Sequence, residues 1–423
     1  MTRPRHLFGD GSWVVAGQVV AASAMLASLK VWATYLAPAE VGLMGLAVGI
    51  SSIFVGIAIG PVTQVVLVNR VRYQDRDVSF QVSAADLVLR GCLLAVLMLT
   101  VFGVPISFCL GLSSWLPLLV ASLVVVEGYR AFEMALLAAQ RRQRDTAVVY
   151  GGDACARLAG LWFMLHFFAG TAEMAMLGTV AGAAVFTVVS GFFLRREALA
   201  AFLRIRTGAH PEIRKSILHL AKPLFPAAVL SNTTEMLGRY VVALTAGLGA
   251  AGLFVIGYGL VKRPYGLVNG VTDWTMRPAL AGALADKEAE KAAHVRLAWL
   301  GAGGGIAALG VVLFYLLDEL IVHVLLSPEY VELAELLIWF AVAVTLFNIA
   351  NIFGGFSLVA GKSRQLLINS ASGAIACTAL TVLLTLCFGL KGAVLALVGG
   401  YAIQLIVSIA GYVRTSDSGR DRS

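Results

Sequence analysis

The chain has 423 residues, 59% of them hydrophobic and 13% charged, with a mean hydropathy of +0.86 and a net charge of +8. An ordinary soluble domain, with about 25% charged residues, is excluded, and an all-α integral membrane protein is expected. The cations fall in loops between apolar runs, so the charge is a topological signal and implies no nucleic-acid partner.

Windows of about 20 apolar residues predict twelve transmembrane helices: 12–36, 40–68, 86–110, 116–139, 147–169, 172–194, 216–247, 250–276, 293–316, 331–359, 366–388 and 392–413. Arg3 and Arg5 precede the first. Its apolar run is longer than a signal-peptide core, and it is read as an uncleaved span. The long basic connection from Arg195 to Lys215 divides the spans six and six: an N-terminal lobe over 1–200, a basic cytoplasmic linker over 201–215 and a C-terminal lobe over 216–423.

Loop charges set the orientation. Arg70, Arg72 and Arg76 follow the second span; Arg141, Arg142 and Arg144 follow the fourth; Arg195, Arg196, Arg204, Arg206, Arg214 and Lys215 follow the sixth. Lys287 with Lys291, Lys362 with Arg364, and Arg414 lie on the same side. The alternate loops hold almost no cations, Lys391 being the exception, and Asp318 to Glu335 is expected to be a long acidic outer loop. Both termini are therefore placed in the cytoplasm, in a multi-pass protein of the inner membrane.

An internal repeat supports the two lobes. Gly42, Gly49, Gly56 and Gly60 each match a glycine 210 residues later, at Gly252, Gly259, Gly266 and Gly270. Spans 1–2 and 7–8 then correspond by a pseudo-two-fold along the membrane normal, as in transporters built from parallel repeats.

Charges inside the apolar runs are the candidate site, because each costs roughly 2.5–3.5 kcal/mol to insert and is retained where it faces a polar cavity. The stretch Gly252 to Pro278 carries Lys262, Arg263 and Pro264 at its middle. Lys30, Arg130, Arg157 and Arg239 complete the cations expected to bind an anionic substrate. Acids accompany some of them at helical spacing: Glu127, Arg130 and Glu133; Asp153 and Arg157; Glu235 and Arg239. Such pairs stack on one helix face and neutralise each other as readily as they serve a cavity. Glu127, Glu133, Asp153, Glu235 and Asp273 are the candidates for proton or sodium coupling, while Asp86 and Arg90 read as interfacial anchors.

Enzyme chemistry is not expected. The six histidines are dispersed, no phosphate-binding loop is present, and Cys92, Cys109, Cys155, Cys377 and Cys387 form no metal-ligand spacing and read as structural thiols. No cofactor or metal is implied.

The stretch YLAPAEVGLMGLAVGISSIF, the Gly60–Pro61 pair that follows it, and GLFVIGYGLVKRPYGLVNGVTDWTMRPAL resemble bacterial polysaccharide and O-antigen flippases. Those belong to the multidrug/oligosaccharidyl-lipid/polysaccharide exporter superfamily. The resemblance, which with the six-plus-six plan spans nearly the whole chain, implies two six-helix lobes around a central cavity that opens alternately to either side. It implies an oligosaccharide linked by pyrophosphate to undecaprenol as substrate, moved from the cytoplasmic to the outer leaflet of the inner membrane. A polysaccharide polymerase and glycosyltransferases are the implied partners. An ion-coupled multidrug antiporter of the same superfamily is the alternative. A major-facilitator carrier is disfavoured because NRVRYQDRD, after the second span, lacks that family's loop pattern.

Overall fold

The computed structural model describes residues 5–69, 77–109, 113–140, 142–193, 196–205, 209–222, 224–286, 288–360 and 362–420. The expected loop cations Arg70, Arg72, Arg76, Arg141, Arg195, Arg206 and Lys287 fall outside them, as do the side chains of Glu235 and Pro278. Every element among the described residues is helical. Nine of the helices are long and apolar enough to cross a membrane.

Contacts divide the chain into two compact units, Met1–Leu36 with Met44–Asn232, and Ala37–Leu43 with Thr233–Ser423. In the first, α1 (Arg5–Tyr35) is followed by α2 (Pro38–Phe54), a π-helical turn (Val55–Ile59) and α3 (Gly60–Asn69). The π turn explains how one helix carries Pro61. The Gly60 amide reaches back to Val55 O, one residue beyond the α-helical partner. A proline lacks the amide that a regular ladder needs, and a π bulge absorbs the mismatch without breaking the helix. Next come α4 (Asp77–Met98), a second π turn (Leu99–Gly103), α5 (Val104–Cys109), α6 (Trp115–Ala139), α7 (Gln143–Phe167) and α8 (Ala172–Phe193). Helices α7 and α8 meet along small residues: a Cβ on Gly160 would lie 2.2 Å from Gly178 O, and one on Gly182 would lie 2.1 Å from Ala156 O. Association in lipid relies on such close backbone approach.

Two short helices follow, α9 (Arg196–Leu203) and α10 (Pro211–Ala221). The seventh span, expected over 216–247, is corrected here. Residues Ser216–Ala221 end the amphipathic α10, whose Ile213, Ile217 and Ala221 are buried against Phe80, Ala84 and Val88 of α4. Asp86, with 8% of its side chain exposed, holds α10 by accepting from Arg214 Nη1 at 2.8 Å, and it also accepts from Arg90 Nε at 3.0 Å. The His210 amide donates to Ser83 Oγ at 3.1 Å beside them.

Helix α11 (Leu224–Ala285) runs 62 residues, about 93 Å if straight, but is broken at Gly247, with φ 89° and ψ 170°. That conformation is open essentially to glycine alone. Helices α12 (Ala289–Trp299) and α13 (Gly305–Leu325), joined by a π turn (Leu300–Gly304), lead to a 3-10 turn (Pro328–Leu333) and α14 (Ala334–Val359). The expected outer loop from Asp318 to Glu335 is therefore mostly helical, because the apolar run of α13 continues to Leu325 past two acids. Last is α15 (Ser363–Arg420), broken at Gly389, with φ 57°.

The repeat appears as a contact inside the second unit. A Cβ on Gly42 would sit 2.1 Å from Leu248 O, and one on Gly252 would sit 1.8 Å from Pro38 O. Pro38 and Leu248 are themselves 210 residues apart, so the two approaches are related by the repeat. Around Gly60, Gly266 and Gly270 no comparable crowding exists.

Candidate functional site

The charges of the first unit gather on α6 and α7. Asp153, with 1% of its side chain exposed, accepts from Arg157 Nε at 2.8 Å and is also bonded by Arg130 Nη1. Arg157 Nη1 reaches Glu127 Oε1 at 2.9 Å, and the other Glu127 oxygen accepts from Ser51 Oγ on α2 at 2.9 Å. The expected pair within α7 is present, but Arg130 pairs across to Asp153 on α7 instead of with the acids of its own helix. Asp153 Oδ1 and Arg157 Nη2 have no hydrogen-bond partner among the described residues. Glu133 is buried on α6 at 1% exposure.

Lys30 stands apart from this cluster. It is exposed on α1 and lines a groove of about 480 Å³ against α7, with Thr34, Tyr35, Cys155, Leu158 and Trp162. Lys30 lies five residues before the end of α1, about 8 Å from it along the helix. The Tyr35 hydroxyl is 3.0 Å from His166 Nδ1, joining the ends of the two helices. These aromatic residues were not singled out in the sequence, where only their nearness to the end of a span is visible.

In the second unit Arg239, Lys262 and Arg263 are all half-buried on α11. Arg239 lies eight residues before the break at Gly247 and Lys262 fifteen after it, which places them about 12 and 22 Å below it. Both distances fall within a hydrocarbon layer about 30 Å thick. Lys262 Nζ is 5.5 Å from the centre of the Tyr258 ring. Tyr258 and Tyr401 approach hydroxyl to hydroxyl at 3.4 Å and line a small cavity of about 10 Å³ with Thr378 and Thr381. Arg239 Nε is buried without a hydrogen-bond partner among the described residues. Helix α11 continues through Pro264, where the neighbouring Tyr265 donates to Ala307 O at 2.9 Å and ties α11 to α13. Asp273 pairs with Arg277 four residues on, at 2.8 Å, half-exposed.

No protein family and no curated protein matches the sequence. Solved structures do match. One is the inward-facing conformation of a multidrug resistance MATE family transporter of the MOP superfamily, 14% identical, with a TM-score of 0.77 over 97% of this chain and 100% of that one. Another is the lipid II flippase MurJ in an inward closed conformation, 13% identical, TM-score 0.69, over 96% of this chain and 89% of that one. A third is a MOP superfamily transporter from Pyrococcus furiosus, described by a reverse polarity of its binding pocket, 16% identical, TM-score 0.61, covering 96% and 94%.

The fold is that of the MOP-superfamily transporters. The likeness is one of fold at these identities, and the neighbours named are transporters and a flippase, with no enzyme among them.

Proposed function

We propose that the chain flips an undecaprenyl-pyrophosphate-linked oligosaccharide from the cytoplasmic to the outer leaflet of a bacterial inner membrane by alternating access. In this reading twelve helices cross the membrane, six in each of two lobes, with both termini in the cytoplasm. The breaks at Gly247 and Gly389, which make four arms of α11 and α15, and the 25-residue α7 with its central ion pairs support that count. The lipid tail stays in the bilayer while the pyrophosphate and sugars pass.

The observation that carries the reading is an excess of positive charge within α11. Asp273 of α11 is taken by Arg277, so Arg239, Lys262 and Arg263 are accompanied there by Glu235, and no acid occurs at 292–317 or 336–416 in the helices that follow. Whatever Glu235 neutralises, two cations remain in excess at membrane depth. A pyrophosphate is the complementary ligand, since arginine offers it a planar donor fork, lysine a point charge, and both act strongly when partly dehydrated. Lys30, Arg130 and Arg157 are proposed as further substrate contacts, and Glu127, Glu133, Asp153, Glu235 and Asp273 as coupling residues.

In a strain lacking its own copy of the gene, Lys262→Ala and Arg263→Ala should lower surface glycan at least tenfold at equal protein level. Undiminished export by both variants would remove the reading.

An ion-coupled exporter of small organic cations is the second reading. It is favoured by the cluster of the first unit, where Glu127, Glu133 and Asp153 outnumber Arg130 and Arg157. Ethidium efflux that depends on Glu133, in cells whose glycan export is unaffected by loss of the protein, would decide for it.

A further inference from the structure

The groove between α1 and α7 offers more than the charge of Lys30. Trp162 is 45% exposed and lines it. One face of its indole is covered by the His166 imidazole, with centroids 5.0 Å apart and planes 13° from parallel. His166 is held in turn from α1, through the Tyr35 hydroxyl at 3.0 Å and an edge-to-face ring contact at 6.2 Å. Residues four apart on a helix lie one above the other, so the imidazole covers the side of the indole toward the end of α7. The other face looks back along α7 toward Leu158 and Cys155, which line the same groove. Across from it, α1 presents Lys30 and Thr34.

An exposed aromatic face opposite a cation and beside an aliphatic residue is the chemistry that takes a sugar phosphate. A pyranose lies parallel to an electron-rich ring with the C–H bonds of one face pointing into it, and a phosphate on its anomeric carbon reaches beyond the aromatic surface to a lysine. A bare anion has no use for the indole. An alkyl chain has no use for Lys30. We propose that the α1/α7 groove is a saccharide-phosphate subsite in which Trp162 stacks the ring and Lys30 holds the phosphate. The proposal rests on the flippase reading for the reason a glycosyl phosphate reaches this depth, and it assigns the first unit a sugar-reading role.

Cys155, exposed in the groove, reports on occupancy. The full chain carrying Cys109→Ser and Cys387→Ser, the other two exposed cysteines, is held in a sugar-free amphipol and labelled with a water-soluble maleimide. Glucose 1-phosphate, galactose 1-phosphate and N-acetylglucosamine 1-phosphate are compared with N-acetylglucosamine, inorganic phosphate and ethidium. At least one glycosyl phosphate should slow labelling fivefold or more where inorganic phosphate and the free sugar slow it less than twofold. Trp162→Leu should abolish the protection, Trp162→Phe should retain part of it, and Lys30→Gln should reduce it to the level of the free sugar.

Absence of protection by all three glycosyl phosphates overturns the proposal. Protection that survives Trp162→Leu overturns it too, and so does stronger protection by ethidium. The Lys262 and Arg263 export assay separates the two claims. Export lost there with Cys155 unprotected removes the subsite and leaves the flippase; Cys155 protected with export intact removes the flippase and leaves a glycosyl-phosphate site.

Discussion

Asp153 holds two guanidinium groups at once inside a bundle of apolar helices, and its removal leaves both without their shared counter-charge. Breaking a buried pair by deleting one partner costs about 3–5 kcal/mol, more than the pair itself contributes over an apolar replacement. Asp153→Ala should therefore lower the stability of the solubilised protein by about 3–5 kcal/mol, read as a drop in the thermal unfolding midpoint. The quadruple replacement Asp153→Leu, Arg130→Met, Arg157→Met and Glu127→Gln, which leaves no member of the network charged, should recover at least half of that loss. Equal midpoints for the single variant and the parent would show that the network carries no such burden. Only part of this arrangement is legible from residue order. The i, i+4 spacing finds Arg157 with Asp153, but the same rule pairs Arg130 with the acids of its own helix, whereas packing brings it to an acid 23 positions away. Trp162 and His166 were illegible for a related reason: nothing in the order of residues separates an aromatic that faces lipid from one that faces a groove.

Helices in lipid gain no hydrophobic advantage from touching each other, so what brings two of them together must be backbone proximity. The paired approaches of Gly42 to Leu248 and Gly252 to Pro38 leave no room for a methyl group, since the atoms a new Cβ would meet are carbonyl oxygens that cannot step aside. Valine at either position should cost at least the 1–3 kcal/mol typical of overpacking. It should appear as loss of monodisperse protein after extraction. Gly266→Ala and Gly270→Ala, with nothing within 4 Å of the added carbon, should behave as the parent. A second test concerns Gly247, whose φ of 89° and ψ of 170° an L-residue adopts only under strain. Gly247→Ala should destabilise by about 1–3 kcal/mol. At this scale the sequence was most informative. The unlike hydropathy of turns and spans points to both breaks, at Gly247 and at Gly389, and the 210-residue offset sets Gly247 opposite the turn at Ala37. The exception is α10, whose buried Ile213, Ile217 and Ala221 merge with the apolar run that follows, so that an amphipathic helix docked on α4 reads as the beginning of a span.

Across the whole molecule the membrane-depth charges divide unevenly. In the first unit the acids of α6 and α7 offset its arginines, while in the second the cations of α11 exceed its acids, although the repeat gives both halves matching glycines at the same offset. The positions equivalent to Lys262, Arg263 and Pro264 are Ser52, Ile53 and Phe54, so the scaffold is repeated and the charge is not. Under the proposed flippase this asymmetry gives the anion a station on the second unit besides Lys30 of the first, and a change of charge there should act on transport without acting on folding. Tyr258 provides the position for the test, because its ring lies 5.5 Å from Lys262 Nζ and its hydroxyl meets that of Tyr401 at 3.4 Å. Tyr258→Glu puts a carboxylate beside Lys262, where it competes with the pyrophosphate for that cation in a medium where opposite charges attract strongly. Glycan export should fall at least tenfold while the unfolding midpoint stays within a few degrees, since the new acid finds a cation beside it. Tyr258→Phe, which keeps the ring over Lys262 and removes only the hydroxyl, should retain most export. Equal loss in both variants would trace the effect to the Tyr258–Tyr401 contact. Equal retention in both would place the anion's path elsewhere than along α11.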